Sequence, residues 1–206
     1  MSDPLIERLD GAVARGELGN GISSYASLLD RFEMERRRDP VGARANLQGD
    51  FVGLTARRYR RATGRNVELF LFSDGANQCL FDVTNERTVL MFGITVAVPP
   101  NSRDSSYHRG FPTAGPGDDK GHALSHAQGG LEGGPNYFKQ NRLVNRRLSA
   151  VGNLWRDIET YLAANAGLMA FVRLLYARGN RTERPNEVEY SLMNGKSQFR
   201  SVIFPN

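Results

Sequence analysis

The chain has 206 residues and a mass of 22.9 kDa, with a formal net charge of +5 and an isoelectric point near 9.6. That length fits one domain with an added segment, or one larger domain, and is enough to bury a core without covalent staples. A single cysteine, Cys79, excludes an internal disulfide; its apolar context, Gln78-Cys79-Leu80-Phe81, reads as a small core residue rather than a nucleophile.

No stretch reaches about 18 uninterrupted apolar residues, so no membrane span is expected. The start, Met1-Ser2-Asp3-Pro4-Leu5-Ile6-Glu7, lacks a basic region followed by an apolar one. An ordinary secretory signal is therefore not expected, which leaves a cytoplasmic protein or one exported by a specialised secretion system without a signal peptide. Of the 27 Lys and Arg residues only Lys120, Lys139 and Lys196 are lysines. Arginine offers a planar fork of donors that matches a phosphate, and a basic surface favours nucleic acid through counterion release. A GC-rich genome produces the same bias, so composition alone does not decide.

Residues 1–65 read as helical. Leu5, Ile6 and Leu9 lie at helical spacing, as do Tyr25, Leu28, Leu29 and Phe32, which run into Arg36-Arg37-Arg38. Asp39-Pro40 is expected to end that helix, and a third helical piece is expected at about 50–62, carrying Arg57, Arg58, Arg60 and Arg61. Those arginines are either phosphate contacts or a solvated face. From Asn66 the period changes. Val67–Val83 reads as two strands around Ser73-Asp74-Gly75, and Thr88–Val98 as another, closed by Pro99-Pro100. Residues 99–118 read as a long polar loop. Beyond the motifs, 153–164 reads as a helix with Leu154, Trp155, Ile158 and Leu162 on one face. Strands are expected at 168–176 and 188–192, with a last edge piece at 201–204.

The chemistry concentrates in 118–159: Asp118-Asp119-Lys120-Gly121-His122, Gly129-Gly130, Asn136 to Arg146, and Trp155-Arg156-Asp157-Ile158-Glu159. Hydrolysis of a phosphodiester needs a base for the attacking water, and a neutral imidazole suits that role near pH 7. Charge builds on the phosphoryl and leaving oxygens, so a hard cation and basic side chains belong beside them. Mg²⁺ takes oxygen ligands and keeps most of its waters, so one or two protein oxygens suffice. His122, Asn145, Glu159 and Arg142 or Arg146 are residue types that fit this set.

Asp119-Lys120-Gly121-His122 resembles the Asp-Arg-Gly-His motif of the DNA/RNA non-specific endonuclease family. The run Asn136-x3-Gln140-x4-Asn145-Arg146 is similar to that family's Asn…Gln…Asn-Arg run, and Trp155-x3-Glu159 to its Trp…Glu pair. Asp-Asp before Gly-His, followed by Gly-Gly, looks closest to the bacterial, toxin-associated branch. The tail, Arg184-Pro185…Glu189-Tyr190-Ser191 and Phe204-Pro205-Asn206, fits the family's closing strands.

The resemblance spans roughly 66–206 and implies an α+β fold: a ββα-metal nuclease core with an antiparallel sheet, plus the helical segment 1–65 as adaptor, lid or extension. It implies that a β-hairpin presents His122 as general base and a crossing helix presents Asn145 as Mg²⁺ ligand. Mn²⁺ is the alternative cation. Glu159 would hold metal-bound water, Asp119 would support the active-site strand, and Asn136 and Gln140 would shape the substrate site. Lys120, Arg142 and Arg146 are the candidate phosphate contacts. Lys120 stands where the family has Arg, which removes the bidentate fork. An insertion at about 147–152 means that Glu159 must return to register.

The expected function is a metal-dependent endonuclease acting on DNA or RNA, an antibacterial toxin masked by an acidic immunity protein. A non-catalytic nucleic-acid-binding module is the alternative. A zinc site built from His122 and His126 is a third reading, which the neighbouring glycines argue against.

Overall fold

The computed structural model describes residues 3–64, 66–99, 102 and 115–206. Most of the long polar loop expected at 99–118 falls outside them. Among the described residues the chain is α+β, with helices on both faces of a seven-stranded antiparallel sheet. No helix in them is long and apolar enough to cross a membrane.

Helix α1 spans Pro4–Ala14, α2 Ala26–Glu35 and α3 Pro40–Thr63. Each start has a local cause. Asp3 caps α1 by accepting from the Leu5 amide, and Asp39 caps α3 by accepting from the Gly42 amide at 2.9 Å, with proline in the first turn of both. Asp39-Pro40, expected to stop a helix, therefore starts one, and α3 begins ten residues ahead of the expected 50. Its buried side chains, Ala43, Leu47, Phe51, Thr55 and Tyr59, recur every fourth residue and form one stripe.

The large sheet contains β1 (Gly19–Asn20), β2 (Leu69–Asp74), β3 (Asn77–Asp82), β4 (Arg87–Ile94), β7 (Met169–Leu175), β8 (Glu187–Met193) and β9 (Phe199–Pro205), in the order β1-β9-β8-β7-β4-β3-β2. The turn at Ser73-Asp74-Gly75 joins β2 to β3 as expected. Two expectations shift. β4 ends at Ile94 rather than Val98, because Thr95 and Val96 bond instead to Leu168, Asn165 and Gln128. β9 is not an edge, because β1 pairs along it.

The register sets Val172 opposite Tyr190 and Phe171 opposite Ser191, so Phe171 and Tyr190 point to opposite faces. On one face Phe51 of α3 stacks on Phe171, ring centroids 4.1 Å apart. On the other, Trp155 of α5 (Ala150–Ala164) meets Tyr190 and Phe204, each at 5.1 Å. Helix α1 lies beside α5, where Arg8 pairs with Asp157 and the Tyr161 hydroxyl donates to Asp3. Residues from the first 65 thus contribute to the same buried cluster as the sheet, and they do so on both faces.

A second, two-stranded sheet carries the motif. β5 (Asp118–His122) pairs antiparallel with β6 (Tyr137–Asn141), and the short helix α4 (Arg142–Asn145) follows β6 directly. The chain therefore runs strand, strand, helix through the motif residues. Phe138 of β6 faces Trp155, which places this hairpin on the α5 side of the large sheet.

Candidate active site on the β5–β6 hairpin

Strand alternation divides the hairpin's side chains. Asp119 and Gly121 share a face with Phe138 and Gln140, towards α5; Asp118, Lys120 and His122 share the other with Tyr137 and Lys139. Gly121 has to be glycine here. A Cβ on it would stand 2.6 Å from the Cβ of Gln140, the residue buried across the hairpin. Gly130 is equally constrained, since its Cβ would run into the carbonyl of Leu124.

Asp119 is the hub of the first face. It accepts from Arg146 Nε and Nη2 at 2.6 and 2.9 Å, from Asn145 Nδ2 at 3.2 Å and from Arg142 Nε at 3.3 Å. Burial works against its charge, but the hydrogen bonds from Arg146, Asn145 and Arg142 prevail and hold the carboxyl below its ordinary range. Asp119 thereby ties α4 to β5. The amide nitrogen of Asn145 is spent on Asp119, which leaves the amide oxygen of this exposed residue for another partner. An exposed carbonyl oxygen with fixed orientation suits a hydrated Mg²⁺.

His122 belongs to a different group. Its Nε2 lies 3.2 Å from Glu132 Oε2, and its ring meets Tyr137, directly opposite in register, with centroids 4.7 Å apart. The Tyr137 hydroxyl donates a short hydrogen bond to the same Glu132 oxygen. His122 therefore leaves the hairpin on the face opposite Asp119, the residue that holds Asn145 of α4.

Glu159 sits on α5, seven residues beyond Gly152, where a Cβ would run into the Leu143 and Val144 carbonyls of α4. Burial pushes the Glu159 carboxyl up, and Arg156 donates to it at 3.1 Å. Among the described residues no three His, Cys, Asp or Glu side chains converge on one point. The Asn145 oxygen is a donor that fits a hydrated cation, and the side-chain hydrogen bonds of Glu159 run to Arg156 and Trp155.

Asn136 and Gln140 are buried rather than solvent-facing. Asn136 accepts from the Leu124 amide and donates to the Leu124 and Leu131 carbonyls, closing the loop between the two strands. It shapes the site from beneath. Lys120 is half-buried on the His122 face, while Arg142 and Arg146 keep about half of their side chains in solvent, 43% and 58%. His126 lies on a single turn with Nε2 3.0 Å from Ser102 Oγ, away from the Glu132 contact of His122. The helix α3 arginines lie on the sheet face opposite the hairpin, and Arg58 donates to the Ser24 carbonyl.

Three residues that anchor the hairpin were not singled out from the sequence. Asp118 forms a two-point ion pair with Arg184 at 2.8 and 2.9 Å, fixing the hairpin's base to the segment before β8. Asn206, in the tail, accepts from the Asn141 amide and donates to the Lys139 and Pro185 carbonyls. Glu132 carried no signal beyond being the one acid in a glycine-rich loop.

No protein-family model matches the chain, and no curated protein matches it either.

Proposed function

We propose that the chain is a metal-dependent endonuclease that hydrolyses phosphodiesters of DNA, RNA or both without sequence preference. The observation that carries this reading is the Asp119 hub. One carboxylate of the hairpin motif takes the amide nitrogen of the exposed Asn145, leaving its oxygen for another partner, and gathers two half-exposed arginines beside it. Both arginines keep enough of their side chains in solvent to reach a phosphate as well.

In this reading the scissile phosphate lies across the rim of the hairpin, between the two faces. His122 takes a proton from the attacking water as its oxygen bonds to phosphorus. The bond to the leaving oxygen breaks with its electron pair staying on that oxygen, which is then protonated from solvent. Arg142, Arg146 and Lys120 neutralise phosphate charge. A Mg²⁺ or Mn²⁺ ion on Asn145 would supply further charge neutralisation. Contacts of this kind read backbone, not bases, so no sequence preference is expected. The basic surface fits an acidic immunity protein as partner, and the protein then acts as an antibacterial toxin or effector.

The test is incubation of the purified chain with supercoiled plasmid and with total RNA, in Mg²⁺, in Mn²⁺ and in EDTA, beside His122→Ala. Metal-dependent degradation that falls by about 10²–10⁴ in the variant is the expected outcome. Salt-sensitive binding with no cleavage in any metal would overturn the enzyme reading in favour of a binding module.

A further inference from the structure

We infer that Glu132 is the positioning residue for the His122 base, an inference that rests on the nuclease reading. The loop joining β5 to β6 brings Glu132 back over the hairpin, where its side chain is only 6% exposed against 13% for His122. A carboxylate so nearly buried requires partners. Among the described residues the Tyr137 hydroxyl and His122 Nε2 meet one of its oxygens.

The chemistry follows from which atoms are held. The tyrosine hydroxyl donates to Glu132, which favours the ionised carboxylate. That carboxylate in turn accepts from the imidazole, so the neutral ring carries its proton on Nε2 and Nδ1 is the nitrogen that takes the proton from water. As His122 becomes an imidazolium, Glu132 provides the opposite charge. Tyr137 limits the swing of the ring from the facing strand. The loop itself is pinned by Asn136, which holds Leu124 and Leu131 on either side of its turn. Among the described residues, the other charged groups on or beside this face are Lys120 and Asp118 on β5, Lys139 on β6, their partners Arg184 and Glu183, and Asp74. The Asp74 Oδ1 stands 4.0 Å from the Cβ position of Gly133.

Glu132→Gln keeps the size of the side chain and tests the charge alone. In the full chain, nitrogen-15 spectra of the imidazole are expected to show His122 protonated on Nε2 when neutral. In Glu132→Gln the His122 titration midpoint moves to lower pH, and kcat falls by roughly tenfold with KM little changed. The acid limb of the pH–rate profile moves with the midpoint. Tyr137→Phe is the second variant and should move the midpoint the other way, because Glu132 then loses a competing donor. A wild type that cuts, with tautomer, midpoint and rate the same in both variants, overturns the assignment. A wild type that cuts nothing in any metal overturns the nuclease reading and any catalytic meaning of Glu132 with it. The spectra would then still report whether the pair exists.

Discussion

Glu189 and Asp119 both gather arginine, and they do it to opposite ends. Glu189, on β8, is fully buried. It accepts from Tyr25 at 2.7 Å and from Ser201 at 2.6 Å, and pairs with Arg173 at 2.5 Å. Every partner is itself inside, and the group pins the turn before α2 to the sheet. Asp119, on β5, also collects a guanidinium in two-point contact, but its partners stand half in solvent and its amide donor comes from an exposed asparagine. A charge taken out of water must be fully compensated, so the Glu189 group is closed. The Asp119 group is open on one side, where a phosphate and a cation can approach. The same residue types give a structural pin in one place and a candidate site in the other, and solvent access makes the difference.

The comparison can be broken by mutation. The largest effect on stability is expected from Glu189→Ala, which leaves Arg173 charged and unpaired in the interior. It should cost about 3–5 kcal/mol in urea unfolding with cleavage per folded molecule unchanged. Asp119→Asn should do the reverse, lowering cleavage roughly 10–100-fold by releasing Asn145 while moving the unfolding midpoint much less than Glu189→Ala. If both variants lost stability alike, the open group would be structural as well.

A double-variant cycle sharpens the claim that two faces of the hairpin serve one phosphate. His122→Ala and Asn145→Ala together should cost little more than the worse of the two alone. Full multiplication of the two losses would mean that they do not act on the same step.

Acidity should separate the groups further. The Asp119 carboxyl is held below its ordinary range, so its contribution to stability is complete above the unfolded value near pH 4. It is lost as the pH falls through the lower folded value. The Glu159 carboxyl is pushed up by burial, so the sign reverses. It favours the fold most below the unfolded value, and stability falls as the pH rises from there through the raised folded value. Glu159→Gln should therefore flatten that upper part of the pH–stability curve, and a thermal-unfolding series from pH 3 to 8 reads both limbs.

The smallest effect concerns Cys79. Burial pushes its thiol up to about 12, so a disulfide reagent at pH 8 should react only as fast as the chain opens. Prompt labelling of the native protein would show that the β3–β4 region is not the closed core described here.

Local rules made much of this legible. Apolar spacing marked α1, α2 and α5, the change of period around the Ser73-Asp74-Gly75 turn marked β2 and β3, a β-branched run marked β4, and the apolar stretches at 168–176 and 188–192 marked β7 and β8. Asp39-Pro40 misled because the same pair can end one helix and begin the next. Aspartate followed by proline is as good a cap and first residue as it is a stop. Of the candidate site residues, Asp119, Asn145, Arg142 and Arg146 do meet, and the spacing of the motif had grouped them. Asn136 and Gln140 were grouped with them too, but spacing cannot tell a side chain that faces substrate from one that supports a loop. Glu159 lies beyond the insertion: the helix that carries it is where it was expected, and its carboxylate accepts from Arg156.

The sequence by itself determined the helices, most strands, the buried cysteine and the arginine-rich composition, because these depend on neighbours a few residues away. Tertiary structure alone decided that Glu132 meets His122, that Arg184 and Asn206 brace the hairpin, and that the first 65 residues share the sheet's core. Those contacts join residues ten to more than a hundred and fifty positions apart. Side-chain charge and size permit such pairs in great number, and only the folded path of the backbone selects among them.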